Sequence, residues 1–387
     1  MKIVQINTFS NKSTGTIMMN IHNELLKNGN ESYVVWGRGR KVENKYEIYM
    51  NDKLGVYYHG IYTRLTDKTG FASKNATKKL LKKIDEIKPD IIHLHNIHGY
   101  YINIELLFNY IKRNNIKVIW TLHDCWAFTG HCCHFEFVNC LKWKKEGCQS
   151  CPLNDKYPKS ITDNSKFNYI RKKELFTEVK KLIIVTPSKW LANLVKNSYL
   201  KEYKVIVINN GIDTKIFKHR ESDFRKKNNL ENKKIILGVA SDWTKEKGLN
   251  DFIELSTKLD DKYKIVMVGL NEKQLKQIPD SIIGIKRTQN AIELAEIYSA
   301  SDVYFNPTYA DNYPTTNLEA QSCGIPVVTY KTGGSAETIS NGYLVKNITQ
   351  FIKLLETQEL NSKKSTTDYS FTKMIEKYVS IYKENEK

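Results

Sequence analysis

The sequence alternates short apolar segments with longer stretches of helical periodicity over most of its length. Segments such as Ile3–Ile6, Val118–Leu122 and Tyr263–Gly269 have the length and composition of buried strands. Consecutive parallel strands need a crossover helix between them, so this order predicts α/β domains built on parallel sheets. With 387 residues the chain exceeds the usual size of a single hydrophobic core, and we expect two such domains.

The stretch Asp311–Gly324, D-N-Y-P-T-T-N-L-E-A-Q-S-C-G, joins one predicted strand to the next. A short helix can begin near Pro314 or Thr315, because proline is tolerated in the first helical turn. The unpaired N–H groups of that turn attract anions. Asp311 and Glu319 add two carboxylates, which can accept hydrogen bonds from a ribose diol. The predicted ligand is a nucleotide-sugar; the alternative is a helix that caps a sheet edge, with Glu319 in solvent.

The net charge of +18, from 60 basic and 42 acidic residues, favours an anionic partner. The lysines are scattered and no nucleic-acid-binding module is recognisable, so we do not expect binding to nucleic acid. Several lysines line the outer side of a predicted helix, Lys74–Lys88. This side is either a solvated face or a surface that docks onto anionic lipid. A compositional habit rich in lysine and asparagine is a third explanation for part of the surplus.

The chain contains no apolar run of about 18 residues, so we expect no membrane-spanning segment. Met1-Lys2 leads directly into the first strand, which leaves no room for a signal peptide. We therefore expect a cytoplasmic protein, peripheral on the inner face of the cytoplasmic membrane.

Polar loops follow several predicted strands of the first half. Gly15 lies where the first helix opens, a position that suits an anion site or simply a tight turn. His95, Asn96 and His98 follow the third strand, where open α/β sheets place ligands. Metal binding is an alternative, but alternation puts His93 and His95 on one face of the strand and leaves His98 in a loop. We therefore favour a substrate-lining role.

His123 and Asp124 follow the next strand, Val118–Leu122. A histidine there can hydrogen-bond a sugar hydroxyl or share a proton near neutral pH. Asp124 is predicted to orient the imidazole of His123. The alternative is a structural histidine that caps the strand.

Six of the seven cysteines fall within residues 125–151. A reducing compartment disfavours disulfides. Cys148-Gln-Ser-Cys151-Pro is a knuckle that can hold two corners of a zinc tetrahedron, and Cys132 or Cys133, with Cys140, can supply the others. We predict one structural zinc, with unpaired loop thiols as the alternative. The predicted ligands are Cys132, Cys140, Cys148 and Cys151. A full thiolate set leaves no open position, so catalytic zinc is not expected.

Together these stretches resemble glycosyltransferase family four, also called the group 1 transferases. The loop Asp311–Gly324 matches the family's E-x7-E motif with Asp311 in place of the first glutamate. The turn Lys331–Glu337 is similar to its G-G-x-x-E turn, and Asn209–Phe217 resembles the junction between its two halves. D-C-W-A-F-T-G-H-C and the later Cys-Pro resemble the branch that builds capsular and exopolysaccharides, including colanic-acid-type enzymes. The resemblance covers nearly the whole sequence.

The resemblance implies the GT-B fold, an α/β architecture of two Rossmann-like domains that face each other across a cleft. We place an acceptor-side domain at residues 1–208, with a Cys-rich insertion at 125–158, and a domain for the nucleotide-sugar donor at 209–365. Residues 366–387 are expected to return to the first domain. The apolar stripe of the predicted helix Phe371–Lys383 fits such a return.

The resemblance also implies roles for individual residues. Lys247 matches a lysine that clamps the donor diphosphate, whereas Asp242 stands where the family has arginine. A carboxylate cannot bind diphosphate unaided, and Lys245 is the nearest residue that can supply the missing charge. Arg287 either contacts the base or faces solvent. The predicted catalytic residues are His123, Lys247 and Asp311. The other donor-side residues are Gly15, Arg287, Asn312, Tyr313, Thr315, Thr316, Asn317 and Glu319. The acceptor-side residues are His95, Asn96 and His98.

The implied activity is transfer of a sugar, with retention of configuration, from a UDP- or GDP-sugar to a lipid-diphosphate-linked saccharide acceptor. Fixed positive groups replace a metal, so no cofactor is expected for the chemistry. Two alternatives are an epimerase of nucleotide-sugars on the same fold and a catalytically silent protein that only binds the donor or a partner transferase.

Overall fold

The computed structural model describes residues 1–384 except 40, 43, 51, 358–359 and 361–366. Contacts divide the chain into two units. Unit 1 comprises Met1–Asn209 together with the residues from Ile375 onward, and unit 2 comprises Asn210–Met374. The predicted polar connection 359–367 and the predicted boundary at 365/366 lie mostly outside the described residues.

Unit 1 is built on one sheet of seven parallel strands in the order β3-β2-β1-β4-β5-β6-β7. These strands are rich in isoleucine and valine, which suits a sheet covered on both faces. The strands are β1 (Lys2–Asn7), β2 (Glu31–Trp36), β3 (Glu47–Tyr49), β4 (Ile91–Leu94), β5 (Lys117–Thr121), β6 (Leu182–Thr186) and β7 (Lys204–Val207).

Helices connect these strands as the parallel arrangement requires. A serine directly before an apolar helical period predicts an N-cap at Ser188. Ser188 accepts a hydrogen bond from Leu191 N, which confirms this prediction, and Asn103 caps the helix that begins at Ile104 in the same way through Leu106 N. The helices of unit 1 are α1 (Ser13–Lys27), α2 (Lys53–Thr66), α3 (Lys74–Ile87), α4 (Ile104–Asn114), α5 (Lys142–Lys145), α6 (Ser165–Phe176) and α7 (Lys189–Lys196).

The core of unit 1 lies beside β4, β5 and β6 and is strongly aromatic. The rings of Phe108, Trp120 and Phe176 pack against one another in tilted and edge-to-face arrangements at centroid distances of 4.5 to 5.4 Å. The last described helix, α14 (Phe371–Lys383), begins in unit 2 and joins unit 1 from Ile375 onward. Tyr378 in α14 is fully buried there.

Unit 2 repeats the architecture with six parallel strands in the order β10-β9-β8-β11-β12-β13. Its strands are β8 (Lys234–Val239), β9 (Tyr263–Val268), β10 (Ile282–Ile285), β11 (Val303–Asn306), β12 (Val327–Tyr330) and β13 (Gly342–Val345). Its helices are α8 (Phe224–Lys227), α9 (Leu249–Ser256), α10 (Glu272–Leu275), α11 (Ala291–Ser299), α12 (Thr315–Ser322) and α13 (Ile348–Thr357).

The helix predicted near Pro314 is α12, which begins at Thr315 with Pro314 as its N-cap. Within the part of the chain that the structure describes, no helix combines the length and the hydropathy needed to cross a bilayer.

Candidate functional site

In each unit the strands run in one direction, so the loops at their carboxyl ends gather along one edge of the sheet. In unit 2 these loops follow β8, β11 and β12. Gly248, at φ +78°, ends the first loop, and a Cβ there would lie 2.6 Å from the carbonyl oxygen of Pro307 in the second. Tyr309 N donates to Glu246 O across the same gap at 2.8 Å. The two loops therefore pack backbone to backbone.

This packing brings together Lys247 and Asp311, two of the residues predicted to be catalytic. Lys247 Nζ lies 2.6 Å from Asp311 Oδ2, and the other carboxylate oxygen accepts from Tyr313 N at 3.1 Å. The third loop approaches the same place, because Gly334 N donates to the backbone oxygen of Asp311 at 2.9 Å. A side chain at Gly333 would collide with that oxygen, so the predicted glycine-rich turn is required here by packing against Asp311.

The N-terminus of α12 adjoins Asp311 in sequence and has no side-chain cap. The first-turn N–H groups of α12 therefore offer partial positive charge to an anion. Asn317 anchors the helix from below: its side chain accepts from Asn306 Nδ2 and donates to Thr338 Oγ1, both at 2.8 Å. The side chain of Asn317 thus belongs to the scaffold, and its N–H donates to Pro314 O at 3.3 Å, so its predicted contact with a phosphate stays a prediction.

Glu319 lies one turn into α12 and is partly buried. Tyr298 donates to its carboxylate at 3.2 Å. Burial raises the pKa of Glu319 to about 7, although hydrogen bonds from Tyr298 and Thr315 oppose the rise. A carboxylate poised between its neutral and ionised forms near neutral pH can accept hydrogen bonds from a diol when it is ionised.

Other predicted donor-side residues differ in exposure. The ring of Tyr313 packs with Ile212, Leu318 and Tyr369 and is 8% exposed, which leaves little of it for a sugar. Asn312 is buried, while Thr315 and Thr316 are partly exposed at the helix tip. Arg287 is exposed after β10, as are Lys245 and Asp242 in the loop after β8. Trp243 fixes that loop, because its Nε1 donates to Val268 O at 2.9 Å.

In unit 1 the carboxyl ends of β4 and β5 carry a cluster of imidazoles. His93 and His95 share a face of β4, as alternation predicted, with ring centroids 4.1 Å apart. His95 Nδ1 lies 3.1 Å from His123 Nε2, and their rings stack. His93 bonds Thr121 Oγ1 at 2.8 Å and Tyr382 of α14 at 2.7 Å. The sequence reading missed this link to α14, although its H-L-H alternation was a signal that His93 faces the same way as His95.

Burial sets the protonation of this cluster. It lowers the pKa of His93 to about 3 and that of His123 to about 4, and it lowers the pKa of His95 well below its usual value. All three rings are therefore neutral at neutral pH. His95 is 1% exposed beside a cavity of about 10 Å³, room for one water at most. Little of the His95 ring is exposed in this structure, and its predicted substrate-lining role stays a prediction.

Asp124 was predicted to orient His123, and the structure corrects this. Its Oδ2 lies 2.9 Å from His98 Nε2, and its Oδ1 accepts from Trp126 N at 2.9 Å. Burial would raise the pKa of Asp124, but the charge and hydrogen bond of His98 outweigh it and the pKa is lowered. The prediction failed because the loop after β4 folds His98 back over Asp124, which strand alternation alone does not describe.

Gly15 and Asn96 both take part in loop packing within unit 1. A Cβ at Gly15 would lie 2.5 Å from Phe9 O, so the glycine lets the loop before α1 close on its own helix. Asn96 N donates to Asn7 Oδ1 at 3.2 Å, and Asn96 O accepts from Thr8 Oγ1 at 3.0 Å. Asn96 joins the loops after β1 and β4, whereas Gly15 packs α1 against the loop after β1. The predicted ligand contacts of both residues stay predictions.

The cysteine segment does not form the expected tetrahedron. Within the described residues, the only His, Cys, Asp and Glu group whose ligand atoms all lie within 4.8 Å is His98, Asp124 and Cys133. No three of the four predicted zinc ligands form such a group. Cys132 and Cys151 share a hydrogen bond, and structural zinc at these thiols stays a prediction. That bond lowers the pKa of Cys151 to about 7 against the opposing effect of burial.

A buried lysine, which the sequence did not reveal, lies against this segment. Lys172 of α6 is 1% exposed, and its Nζ donates to Trp126 O at 2.5 Å. The same ammonium group makes a cation–π contact with the Trp126 ring, 3.8 Å from the ring centroid. Burial lowers the pKa of Lys172 to about 8, a shift that the nearby Cys148 and Cys133 oppose. The apolar stem of Lys172 suits this buried position, while its ammonium group is satisfied by the carbonyl oxygen and the ring of Trp126.

Comparison of the sequence and the structure with known proteins identifies the family to which the chain belongs. A family model described as Glycosyltransferase Family 4 matches residues 14–216, and one described as Glycosyl transferases group 1 matches residues 220–366. Among curated proteins, the chain is 24% identical over 412 residues to the Escherichia coli protein named as a colanic acid biosynthesis glycosyl transferase, WcaC, and covers 99% of each.

A second relative comes from Campylobacter jejuni and is 27% identical over 219 residues, which covers 49% of this chain and 57% of the relative. It is an N,N'-diacetylbacillosaminyl-diphospho-undecaprenol alpha-1,3-N-acetylgalactosaminyltransferase. Solved structures give the same fold. Sucrose-phosphate synthase from Thermosynechococcus elongatus superposes with a TM-score of 0.71 at 13% identity, over 99% of this chain and 98% of that one. HepE of Anabaena in complex with UDP-glucose gives 0.65 at 14% identity, over 99% of each chain.

Two Rossmann-like units with parallel sheets, together with the loop site on unit 2, define a glycosyltransferase of the GT-B fold. The expected fold class and enzyme class are thereby confirmed. The family model that spans residues 14–216 covers more than half of the sequence. The chain belongs to glycosyltransferase family 4.

Proposed function

We propose that this enzyme transfers a sugar, with retention of configuration, from a UDP- or GDP-sugar to a lipid-diphosphate-linked saccharide during bacterial surface polysaccharide biosynthesis. The observation that carries the proposal is the junction of β11 and α12 in unit 2. Lys247, the Asp311 carboxylate and the uncapped N-terminus of α12 meet there, with Glu319 one turn further on.

Each part of this junction suits one part of a nucleotide-sugar. A diphosphate would lie against the N–H groups of Thr315 and Thr316 and the ammonium of Lys247. Glu319 would hold the ribose hydroxyls, and Asp311 with Asn312 would line the transferred sugar. Charge that builds on the departing phosphate would then meet positive groups that are already in place.

The relatives supply the acceptor side of the proposal. The Campylobacter relative is named for a diphospho-undecaprenol-linked acceptor, and the Escherichia coli relative for colanic acid biosynthesis. A basic chain that works on such an acceptor would contact an anionic membrane peripherally. We expect no metal to be needed for the chemistry, and structural zinc in the cysteine segment stays a proposal for metal analysis to test.

The test is incubation of the protein with a panel of UDP- and GDP-sugars, with nucleotide release followed with and without a lipid-linked acceptor. A transferase releases nucleotide slowly alone and faster with its acceptor. An epimerase would instead produce an isomeric donor, and a silent donor-binding protein would produce neither.

Glu319→Ala should abolish donor binding, and Glu231→Ala, an exposed carboxylate of the same unit, is the matched control. Normal donor affinity in Glu319→Ala would contradict the placement of the ribose.

A further inference from the structure

Helix α2 exposes an unusual number of large apolar side chains. They lie three or four residues apart and form a stripe, which we name the α2 apolar face. Its members, with the exposed fraction of each residue, are Leu54 (85%), Tyr57 (71%), Tyr58 (62%), Ile61 (42%) and Leu65 (51%). Single exposed apolar residues are ordinary, but a continuous group of this kind marks an interaction surface.

The side of α2 that faces unit 1 is mixed, because Val56 and Tyr62 pack partly buried against the core while the fully buried residues are polar. The buried residues of α2 are His59 and Thr63. His59 Nδ1 lies 2.8 Å from Ser73 Oγ, and its Nε2 accepts from Gly70 N at 3.0 Å. These hydrogen bonds and the packing of Val56 and Tyr62 hold α2 in an orientation that leaves its larger apolar side chains facing away from the core of unit 1.

Neighbouring residues extend the α2 apolar face. Ile161, 65% exposed, adjoins the end of α2, because its N–H donates to Arg64 O at 2.9 Å. Phe167, exposed on α6, lies under Lys68 Nζ at 4.5 Å. Aliphatic, tyrosine and lysine side chains thus share one surface of unit 1.

The charges of α2 favour an anionic partner. Lys53 and Arg64 are both exposed, and the helix contains no acidic residue. Asp52 precedes the helix and caps it by accepting from Gly55 N at 2.9 Å. The lysines on the outer side of α3 are exposed as well: Lys74, Lys78, Lys79, Lys82 and Lys83. A second copy of the chain would bring basic groups against basic groups, whereas an anionic bilayer offers both an apolar layer and opposite charge.

We propose that the α2 apolar face inserts into the interfacial layer of an anionic lipid membrane, with basic residues of α2 and α3 against the headgroups. The inference deepens the proposed function, since it rests on an acceptor that is itself embedded in a membrane. Leucine and isoleucine supply the buried area, and Tyr57 and Tyr58 have the amphipathic character typical of the membrane interface. The lysines of α3 alone, which the sequence offered as one alternative for docking onto lipid, would give attraction without an anchor.

The test is co-sedimentation with vesicles of phosphatidylglycerol and phosphatidylethanolamine. The triple variant Leu54→Gln, Ile61→Gln, Leu65→Gln should lower the partition coefficient at least about tenfold, because it removes apolar area without changing charge. The matched control is Ile292→Gln, Leu344→Gln, which alters two apolar residues of unit 2 with 45% and 43% exposure and should bind like the parent. Should the triple variant not fold, Tyr57→Ser, Tyr58→Ser tests the same face.

Transfer assays separate this inference from the proposed function. The triple variant should lose transfer to a lipid acceptor in vesicles and keep transfer to a short-chain, water-soluble acceptor. Vesicle binding equal to the parent would overturn the inference. So would a parent protein that does not bind vesicles, or a triple variant that changes only the oligomeric state. Failure of nucleotide release with every donor and acceptor would instead overturn the proposed function.

Discussion

Lys247 Nζ and Asp311 Oδ2 form a 2.6 Å ion pair between the loop after β8 and the loop after β11. The lysine predicted to hold the diphosphate and the carboxylate predicted to line the sugar are therefore bonded to each other. An ammonium has three N–H donors, so Lys247 can keep Asp311 and still donate to a phosphate oxygen. The pair also sets where the positive charge lies before a donor arrives.

Replacing Lys247 should weaken nucleotide binding and leave the stability of the fold almost unchanged. Lys247→Met should weaken binding of UDP or GDP by about tenfold or more, because a charge-assisted hydrogen bond to phosphate is lost. Its free energy of unfolding should change by less than about 1 kcal/mol, since the pair is partly exposed. Calorimetric titration and urea unfolding measure the two effects.

The matched control is Lys258→Met, which breaks the exposed 2.6 Å pair with Glu254 on α9. It should leave nucleotide affinity unchanged. Equal affinity in Lys247→Met and the parent would show that the diphosphate lies elsewhere.

Donor binding should depend on the ionisation of Glu319. Because burial raises the pKa of Glu319 to about 7, its carboxylate is largely protonated near pH 6 and ionised near pH 8. Donor affinity should therefore rise up to about tenfold over this range, as the group becomes an acceptor for ribose hydroxyls. Glu319→Gln should lose this part of the pH dependence, and titration at several pH values measures the difference.

The same group affects stability with the opposite sign. The folded state holds the Glu319 proton more tightly than the unfolded state, whose pKa is near 4.5. The contribution is fully present below about pH 4.5 and is lost as pH rises through about 7. Relative to Glu319→Gln, the parent should lose up to about 3 kcal/mol over that range. A parallel pH profile in both proteins would contradict the raised pKa.

The imidazole cluster of unit 1 should make the protein sensitive to acid. His93, His95 and His123 have pKa values below the usual 6.5, so the unfolded chain takes up protons that the folded chain does not. Their contribution is complete above about pH 6.5 and is lost as pH falls toward about 4. The free energy of unfolding, measured by urea titration, should therefore fall between about pH 7 and 5 by up to about 2 kcal/mol for each ring.

His93→Gln should reduce the steepness of that acid profile, and His219→Gln, at an exposed histidine of unit 2, should not. An unchanged slope in His93→Gln would mean that this ring is accessible to protons in the folded protein.

The cysteine segment should matter for folding rather than for donor binding. Cys148→Ser, Cys151→Ser should reduce the folded yield and leave the affinity for UDP and GDP unchanged, since both residues belong to unit 1. If the proposed zinc is present, metal analysis of the parent should find about one ion per chain, lost in the double variant. Cys323→Ser, at a buried cysteine of unit 2, is the control. A loss of nucleotide affinity in the double variant would contradict a purely structural role.

Sequence patterns predicted the features that depend on neighbouring residues. The start of α12 and the N-cap at Ser188 follow from proline and serine beside an apolar period, and both are present in the structure. Features that depend on distant loops were missed or wrong. The partner of Asp124 is set by how the loop after β4 closes, and the Lys247–Asp311 pair by how two loops pack around Gly248.

The outward-facing apolar side of helix α2 was not predicted, for a different reason. Periodicity identifies a helix on the assumption that its apolar side faces the core. In α2 the fully buried residues are the polar His59 and Thr63, only Val56 and Tyr62 pack partly buried on the core, and the larger apolar side chains face outward. The buried Lys172 is a similar case, because lysine is normally read as a surface residue.

The hydrogen bond between Tyr382 and His93 has a consequence for how this protein folds during its synthesis on the ribosome. Tyr382 belongs to α14, which the ribosome produces only after all of unit 2, yet its hydroxyl lies 2.7 Å from a ring in the central sheet of unit 1. Domains usually fold in the order in which they are translated. Here the packing of unit 1 is completed by residues that are translated after unit 2, so a nascent chain stalled within unit 2 would lack the α14 contacts of its first domain.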